Sequence, residues 1–354
     1  MKNTRNRIKI ALLLMTMLIL SMVFVSGATA EAVTDEIDQE VEVALIEQNP
    51  ELDLNPDTTI KSYDTEKPYW YLLEADKNQQ KTLLKYIDEC YTSKQEKNEM
   101  KKSMKDIWNR YPDSITEEDM IVLGQIDVAV AEYLNDKHGV NDRVSVKWTA
   151  TPHQKMTRIA VKKVGITDYY ADIASNAADD PDTWPYPQIW QSYNHYYDPV
   201  ADNGLAAVNC DSHAGIAAAY YDGGQLSAAY TELGYASHYL IDVGNPLHTG
   251  MVTNQTLNQW VHYDYEDYVT ANWNSNYNFE SVVSNNNNDY YVSDPEAAAQ
   301  DLAEYSNAYL SSLWMEIYYN ENTWESSATV KLDTERVLLK SAKYNIGLVK
   351  YMRR

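Results

Sequence analysis

Two short segments pair a histidine with a carboxylate four residues later, a spacing that places both side chains on one face of a helix. His238 precedes Asp242 in "HYLIDVGNPLH", and His262 precedes Glu266 in "HYDYEDYV". His248 closes the first segment, after a Gly-Asn-Pro turn that can bring the chain back toward His238 and Asp242. Imidazole and carboxylate groups that converge in this way predict a site for a divalent cation such as zinc.

Further candidate ligands lie upstream of these two segments. The chain has only 7 histidines, and two more of them, His153 in "KWTATPH" and His195 in "NHYYDP", lie in short polar segments. The segment "AADDPD" adds the carboxylates of Asp179, Asp180 and Asp182. A single histidine on a helix is more often a hydrogen-bonded core residue than a ligand, but the conjunction of all these segments favours a metal centre.

The order and spacing of these histidines resemble those of the bacterial zinc-dependent phospholipases C and, more distantly, of the zinc-dependent single-strand nucleases that share their helical fold. The resemblance covers residues 148 to about 270. It is carried by "HYYDP", by "ELGYASHYLIDVGNPLH" and by the 14-residue step from His248 to His262. It implies an all-α, multi-helix zinc-dependent phospholipase C-like domain with up to three zinc ions in one cleft.

The resemblance also implies a ligand set for each ion. One ion would be bound by an upstream aspartate together with His195, His238 and Asp242. A second would be bound by His248, His262 and Glu266. The third would be bound by His153, by the shared Asp242, and by the amino group and carbonyl of Trp148.

The upstream aspartate is less closely defined than the other ligands. Asp179 follows two small residues as the family's acidic position does, so it is the preferred ligand, with Asp180 second and Asp182 third. In the family this carboxylate is also a candidate base for the attacking water, which makes Asp179 the candidate catalytic residue.

A metal ligand at the Trp148 amine requires a cut between Lys147 and Trp148. Residues 31–147 are then an acidic leader and a helical propeptide-like region, and residues 148–354 are the catalytic domain. Residues 1–30 predict a cleaved signal peptide, with four basic residues, an apolar run over 10–25 and an Ala-Thr-Ala cleavage site. We therefore expect a secreted protein, with an uncleaved membrane anchor as the alternative.

Helical periodicity recurs through both regions, and strand-like alternation is nearly absent. Apolar residues repeat at helical spacing between 66 and 136, and further helices are predicted over 153–164, 211–221, 225–243, 255–269, 295–319 and 333–351. Asp294 followed by Pro295 predicts a helix start. Cys90 and Cys210 fit either a disulfide bridge or two isolated thiols.

The charge distribution favours a lipid over a polynucleotide as the substrate. The formal net charge is −23, and no Lys or Arg lies between Lys163 and Lys331, the interval that holds most of the candidate ligands. Nucleic-acid affinity comes mostly from cationic side chains on phosphates, so a nucleic-acid partner is not expected. Zinc would supply the positive charge needed beside an anionic phosphodiester.

The predicted activity is that of a secreted phospholipase C, which cleaves glycerophospholipids to diacylglycerol and a phosphorylated headgroup and contacts the membrane surface peripherally. Trp184, Tyr193, Tyr196 and Tyr197 could present aromatic faces to a quaternary ammonium headgroup, although core packing explains such tyrosines equally well. One alternative is a secreted single-strand nuclease or nucleotidase, which the five-residue step from Trp148 to His153 favours. Another is a non-catalytic surface protein that metal stabilises.

Overall fold

The fold is all-α, as the sequence predicts. The computed structural model describes residues 67–140, 150–184, 193–250 and 259–354. The predicted signal peptide, the acidic leader and the Lys147–Trp148 junction lie outside these residues. No helix within the described ranges is long and apolar enough to span a bilayer.

Four helices build the N-terminal region, and local capping explains where three of them begin. Side-chain caps from Asp76, Ser93 and Thr116 accept hydrogen bonds from backbone N–H groups of the first turn, and each forms a reciprocal capping box. The helices are α1 (Trp70–Leu73), α2 (Lys77–Glu89), α3 (Lys94–Arg110) and α4 (Glu117–Lys137).

The second region contains the eight remaining helices of the described chain and the predicted ligands. The helices are α5 (Ala150–Lys163), α6 (Asp168–Ala177), α7 (Ala206–Asp222), α8 (Leu226–Val243), α9 (Gln259–Ala271), α10 (Phe279–Asn285), α11 (Pro295–Tyr319) and α12 (Ala328–Met352). Short 3-10 turns occupy Asp180–Thr183, Pro246–His248 and Trp324–Ser326. Strand β1 (Tyr197–Asp198) pairs antiparallel with strand β2 (Asn203–Gly204), Tyr197 opposite Gly204, which makes one small hairpin.

Helix α8 is the central element of this region, because almost its whole second half is buried. Gly234 permits the close approach of α6, since a Cβ at this position would lie 2.4 Å from the carbonyl oxygen of Ala174. Helix α11 begins as predicted, with the Asp294 side chain accepting a hydrogen bond from the N–H of Ala297.

Two clusters of buried apolar residues form the core of the described residues, which all belong to one compact unit. The larger cluster joins side chains from α1–α4 to side chains from α8, α9, α11 and α12. The smaller cluster lies among α5–α8, α11 and α12. Cys90 belongs to the first cluster and Cys210 to the second, and both are buried free thiols.

Candidate metal centre

Helix α8 presents His238 and Asp242 on one buried face, one turn apart. The Nδ1–H of His238 donates to the carbonyl oxygen of Ala178 at 2.8 Å, which fixes the ring. Its Nε2 then faces the Asp242 carboxylate at 3.1 Å. Ala178 follows α6 directly, so the close α6–α8 packing at Gly234 also sets the orientation of this imidazole.

Asp242 is the hub of the centre, because three imidazoles from three parts of the chain converge on its carboxylate. Its Oδ1 lies 3.1 Å from Nε2 of His153, and its Oδ2 lies 2.8 Å from Nδ1 of His195. The rings of His238 and His195 also approach each other, with Nε2 and Nδ1 2.8 Å apart. All four side chains are buried. The structure thus brings these four predicted ligands together.

The electrostatics of this group are those of a buried, charged cluster. Burial lowers the pKa of His238, but the neighbouring carboxylates of Asp242 and Asp182 outweigh that effect and raise the pKa to about 9. Burial alone would raise the pKa of Asp242, yet His238 and His195 hold that pKa well below its usual range. Burial dominates at His195 and lowers its pKa. A carboxylate that stays ionised in the interior needs such cationic partners or a metal ion.

A second group forms where the 3-10 turn Pro246–His248 meets helix α9. Nε2 of His262 lies 2.7 Å from Oε1 of Glu266 and 2.8 Å from Nε2 of His248. Nε2 of His248 is 3.1 Å from the same Glu266 oxygen. The Nδ1–H of His248 donates to the carbonyl oxygen of His195 at 2.7 Å, which ties this group to the first one.

Glu266 has the properties of a ligand. It is fully buried, and burial would raise its pKa, but His262 and His248 lower that pKa below its ordinary value. Among the described residues, no hydrogen-bond partner reaches its Oε2 atom. A buried carboxylate oxygen without a partner is costly unless a cation occupies the site.

Asn245 supports this second group, and sequence reasoning did not single it out. Its fully buried side chain donates from Nδ2 to Oε1 of Glu266 at 3.3 Å. Its Oδ1 accepts from the N–H of Leu247 at 3.0 Å and so caps the turn that carries His248. One amide therefore orients two candidate ligands. In the sequence, the only sign of this role is that a polar residue lies between Gly244 and Pro246, just before His248.

The three upstream aspartates occupy different environments. Asp182 is the one that joins the candidate ligands, with Oδ1 3.8 Å from Nδ1 of His195 and 3.9 Å from Nε2 of His238. Asp180 is exposed, and its carboxylate accepts from the hydroxyl of Tyr235 at 3.3 Å. Burial and the charge of Asp182 raise the pKa of Asp179, which also interacts electrostatically with the His153 and His238 side chains.

The described residues thus contain three groups whose ligand atoms lie within 4.8 Å of one another: His153, His238 and Asp242; Asp182, His195 and His238; and His248, His262 and Glu266. His238 is common to the first two groups, and the His248–His195 contact connects the third. Trp148, the remaining predicted ligand, lies outside the described residues.

A buried polar chain beneath the first group is a further feature that the sequence did not indicate. The hydroxyls of Thr157 and Ser237 lie 2.6 Å apart, and the Ser237 hydroxyl donates to Oδ1 of Asn345 at 2.9 Å. All three side chains are fully buried. Thr157 lies one turn after His153 and Ser237 precedes His238, so this chain ties α5 and α8 to α12 beside the ligands.

Comparisons with known proteins find only distant similarity. No family model matches the sequence, and no curated protein matches it. A search of solved structures finds an alpha toxin from Clostridium absonum, with a TM-score of 0.40 and 13% sequence identity. The match covers 57% of this chain and 62% of the toxin chain. Similarity this low carries no conclusion about the chemistry of this chain.

Proposed function

We propose that this chain is a secreted zinc-dependent phosphodiester hydrolase, and that its substrate is a glycerophospholipid cleaved as by a phospholipase C. The observation that carries the proposal is the convergence of three histidine–carboxylate groups in one connected, buried centre. A protein that needed metal only for rigidity could use one closed site, so three linked groups favour catalysis over a purely structural role.

The donor set fits zinc. Imidazole nitrogens and carboxylate oxygens are ligands that zinc prefers, and hard cations such as magnesium select mostly oxygen. Hydrogen bonds to backbone carbonyl oxygens hold the rings of His238 and His248 with Nε2 directed into the centre. Oε2 of Glu266, which has no hydrogen-bond partner among the described residues, offers a further ligand atom. We assign Asp182, His195, His238 and Asp242 to one ion, and His248, His262 and Glu266 to another.

The third ion would be bound by His153 and Asp242, with the Trp148 amine completing the site after a cut at Lys147. His153 and Asp242 lie 3.1 Å apart and are both buried. The resemblance to the zinc-dependent phospholipases C supports this part of the proposal, although the spacing from Trp148 to His153 is closer to that of the single-strand nucleases.

The mechanism needs an attacking water and a group to take its proton. Bound zinc would polarise the phosphoryl oxygens and lower the pKa of a coordinated water toward neutrality. Asp179 is the proposed general base, because its carboxylate is half-buried beside the first group and its pKa is raised by burial and by Asp182. Asp242 keeps the three surrounding imidazoles in place, and its own ionisation offsets the positive charge of the centre.

The headgroup of a lipid substrate would contact fewer aromatic rings than the sequence suggests. Tyr196 and Tyr197 are buried, and their hydroxyls donate to Asp198 and Asp202 around the β1–β2 turn. Trp184 is half-buried, with its ring 5.1 Å from that of Tyr235. We therefore assign any contact with a quaternary ammonium to Trp184 rather than to the tyrosines of the hairpin.

A secreted single-strand nuclease or nucleotidase on the same metals is the second candidate. The Trp148-to-His153 spacing favours it, whereas the interval without Lys or Arg disfavours an extended polynucleotide track. Both candidate functions require the same zinc ligands, so only an assay of the substrate can distinguish them.

The test compares two substrates on one preparation. The exported protein is purified, its zinc is counted by elemental analysis, and phosphocholine release from phosphatidylcholine is compared with cleavage of single-stranded DNA. We expect lipid hydrolysis that His238→Ala abolishes and that Asp168→Asn leaves intact, because the exposed Asp168 pairs with Arg158 and Lys162 outside the three groups. DNA cleavage without lipid hydrolysis would support the nuclease, and zinc without either activity would support a structural role.

A further inference from the structure

The described part of the predicted pro-region, residues 67–140, shares one hydrophobic core with the second region. The rings of Tyr71 and Tyr86 in the N-terminal region pack edge-on against Tyr318 of α11, at centroid distances of 5.5 Å and 6.0 Å. Tyr71 also lies 5.9 Å from the ring of Trp314. All four side chains are at most 2% exposed.

Buried hydrogen bonds cross the same boundary in both directions. The Tyr86 hydroxyl donates to the backbone carbonyl of Tyr318 at 2.9 Å. The Tyr319 hydroxyl donates to the backbone carbonyl of Tyr71 at 2.7 Å. Separation would expose these partners and the surrounding rings to water, and an aromatic side chain buries about 150–250 Å².

A third contact joins the residues that follow α4 to helix α9, which carries two candidate zinc ligands. The His138 ring stacks on Trp260 of α9, with centroids 4.3 Å apart and planes at 18°. Its Nδ1 lies 3.0 Å from Asp264, and Lys137 forms an ion pair with Glu321. Trp260 and Asp264 flank His262, so this contact positions the segment of α9 that presents it.

We propose that residues 67–140 are a permanent partner of the metal-bearing region and stay bound to it after any cut before Trp148. The mature protein would then be a non-covalent complex of two pieces of the same chain. Removal of the N-terminal piece would uncover Trp260, Trp314 and Tyr318, which are fully buried. The inference concerns assembly and does not depend on which substrate is hydrolysed.

The experiment cuts the full chain at the proposed junction. A recognition sequence for a specific protease is introduced at Lys147–Trp148, the purified protein is cut, and denaturing electrophoresis confirms two fragments. We expect the fragments to co-elute in native size-exclusion chromatography at the position of the uncut chain, with the same zinc content, and to separate only in denaturant. A folded, zinc-loaded fragment 148–354 that elutes alone would overturn the proposal.

A conservative substitution at the contact between the two regions tests whether they remain associated, and it should leave the fold intact. Glu321→Gln should weaken association of the cut fragments about three- to tenfold, because it removes the charge that faces Lys137 and His138. Glu325→Gln is the matched control, since Glu325 is exposed four residues later and its side chain forms no ion pair with the described residues of the N-terminal region. Equal dissociation constants for the two variants would contradict the assigned contact.

Discussion

At the scale of single residues, the question is which upstream carboxylate binds zinc. Asp182→Asn should lower the zinc content by about one ion per chain, because Asp182 lies nearest His195 and His238. Asp179→Asn should keep the zinc and lose turnover by about 10²–10⁴-fold, as expected for a general base. Elemental analysis and a lipid-hydrolysis assay provide the two measurements.

Asp180→Asn is the matched control, because the Asp180 carboxylate is exposed and contacts Tyr235 instead of the ligands. It should retain both zinc and activity. Zinc loss in Asp179→Asn, with full zinc in Asp182→Asn, would reverse the assignment and restore Asp179 as the ligand that the sequence favours.

This ambiguity shows what residue spacing can and cannot predict. The i, i+4 pairs His238–Asp242 and His262–Glu266 could be placed from sequence because helix geometry fixes their relative positions. The three aspartates lie instead where α6 ends and the 3-10 turn Asp180–Thr183 begins. Which carboxylate faces the imidazoles depends on that turn, and neighbouring residues of the same type give no periodic signal.

At the scale of helices, the approach of α6 to α8 supports the orientation of His238. Gly234→Ala should destabilise the protein by about 1–3 kcal/mol, because the new Cβ would lie 2.4 Å from the Ala174 oxygen and 2.7 Å from the Ala177 Cβ. It should also weaken zinc binding, since the separated helices would lengthen the His238–Ala178 hydrogen bond. Urea denaturation and zinc titration measure the two effects.

Gly215→Ala on α7 is the control for this substitution. Apart from neighbouring atoms of α7 itself, no atom of the described residues lies within 4 Å of a Cβ at Gly215, so the change should leave zinc binding intact and stabilise the protein by about 0.5–1 kcal/mol through helix propensity. Equal effects of the two substitutions would show that the α6–α8 contact has no special role.

The contact between α4 and α9 should depend on pH through His138. Burial lowers the pKa of His138, but Asp264 and Glu321 outweigh burial and raise the pKa above its ordinary value. Stabilisation by the charged ring is therefore fully present below the unfolded pKa of about 6.5 and is lost as the pH rises through the folded pKa. The stacking on Trp260 persists in either state.

His138→Gln removes this titration while leaving Asp264, Glu321 and Lys137 in place. The loss in the free energy of unfolding caused by the variant should be larger at about pH 6 than at about pH 9, because only the protonated ring pairs with the two carboxylates. Urea denaturation of both proteins in the same buffers measures the difference. The same loss at both pH values would contradict the ion-pair assignment.

Most helix positions could be predicted from sequence, although the short helices α6 and α10 were missed, but helix partners could not. The predicted 295–319 helix agrees with α11 because Asp294 and Pro295 mark its start through backbone chemistry. The apolar faces of α1–α4 predict burial without saying against which surface. The core shared with α9 and α11, on which the proposed retention of residues 67–140 rests, appears only once the chain is folded.

At the scale of the whole molecule, the distribution of charge favours the proposed lipid hydrolysis over cleavage of a polynucleotide. The net charge is −23, and the interval between Lys163 and Lys331 carries neither Lys nor Arg. Three bound dications would supply about +6 there, enough to attract one phosphodiester but no continuous path for a polynucleotide. This asymmetry is why we propose a lipid as the substrate and bound zinc as a requirement for activity.

Anomalous X-ray scattering at the zinc edge, measured on crystals of the purified protein, tests the proposed metal centre most directly. We expect strong zinc peaks among Asp182, His195, His238 and Asp242, and among His248, His262 and Glu266, with a further peak beside His153. Crystals of zinc-supplemented protein that show these imidazoles hydrogen-bonded to carboxylates, with no anomalous peak between them, would contradict it.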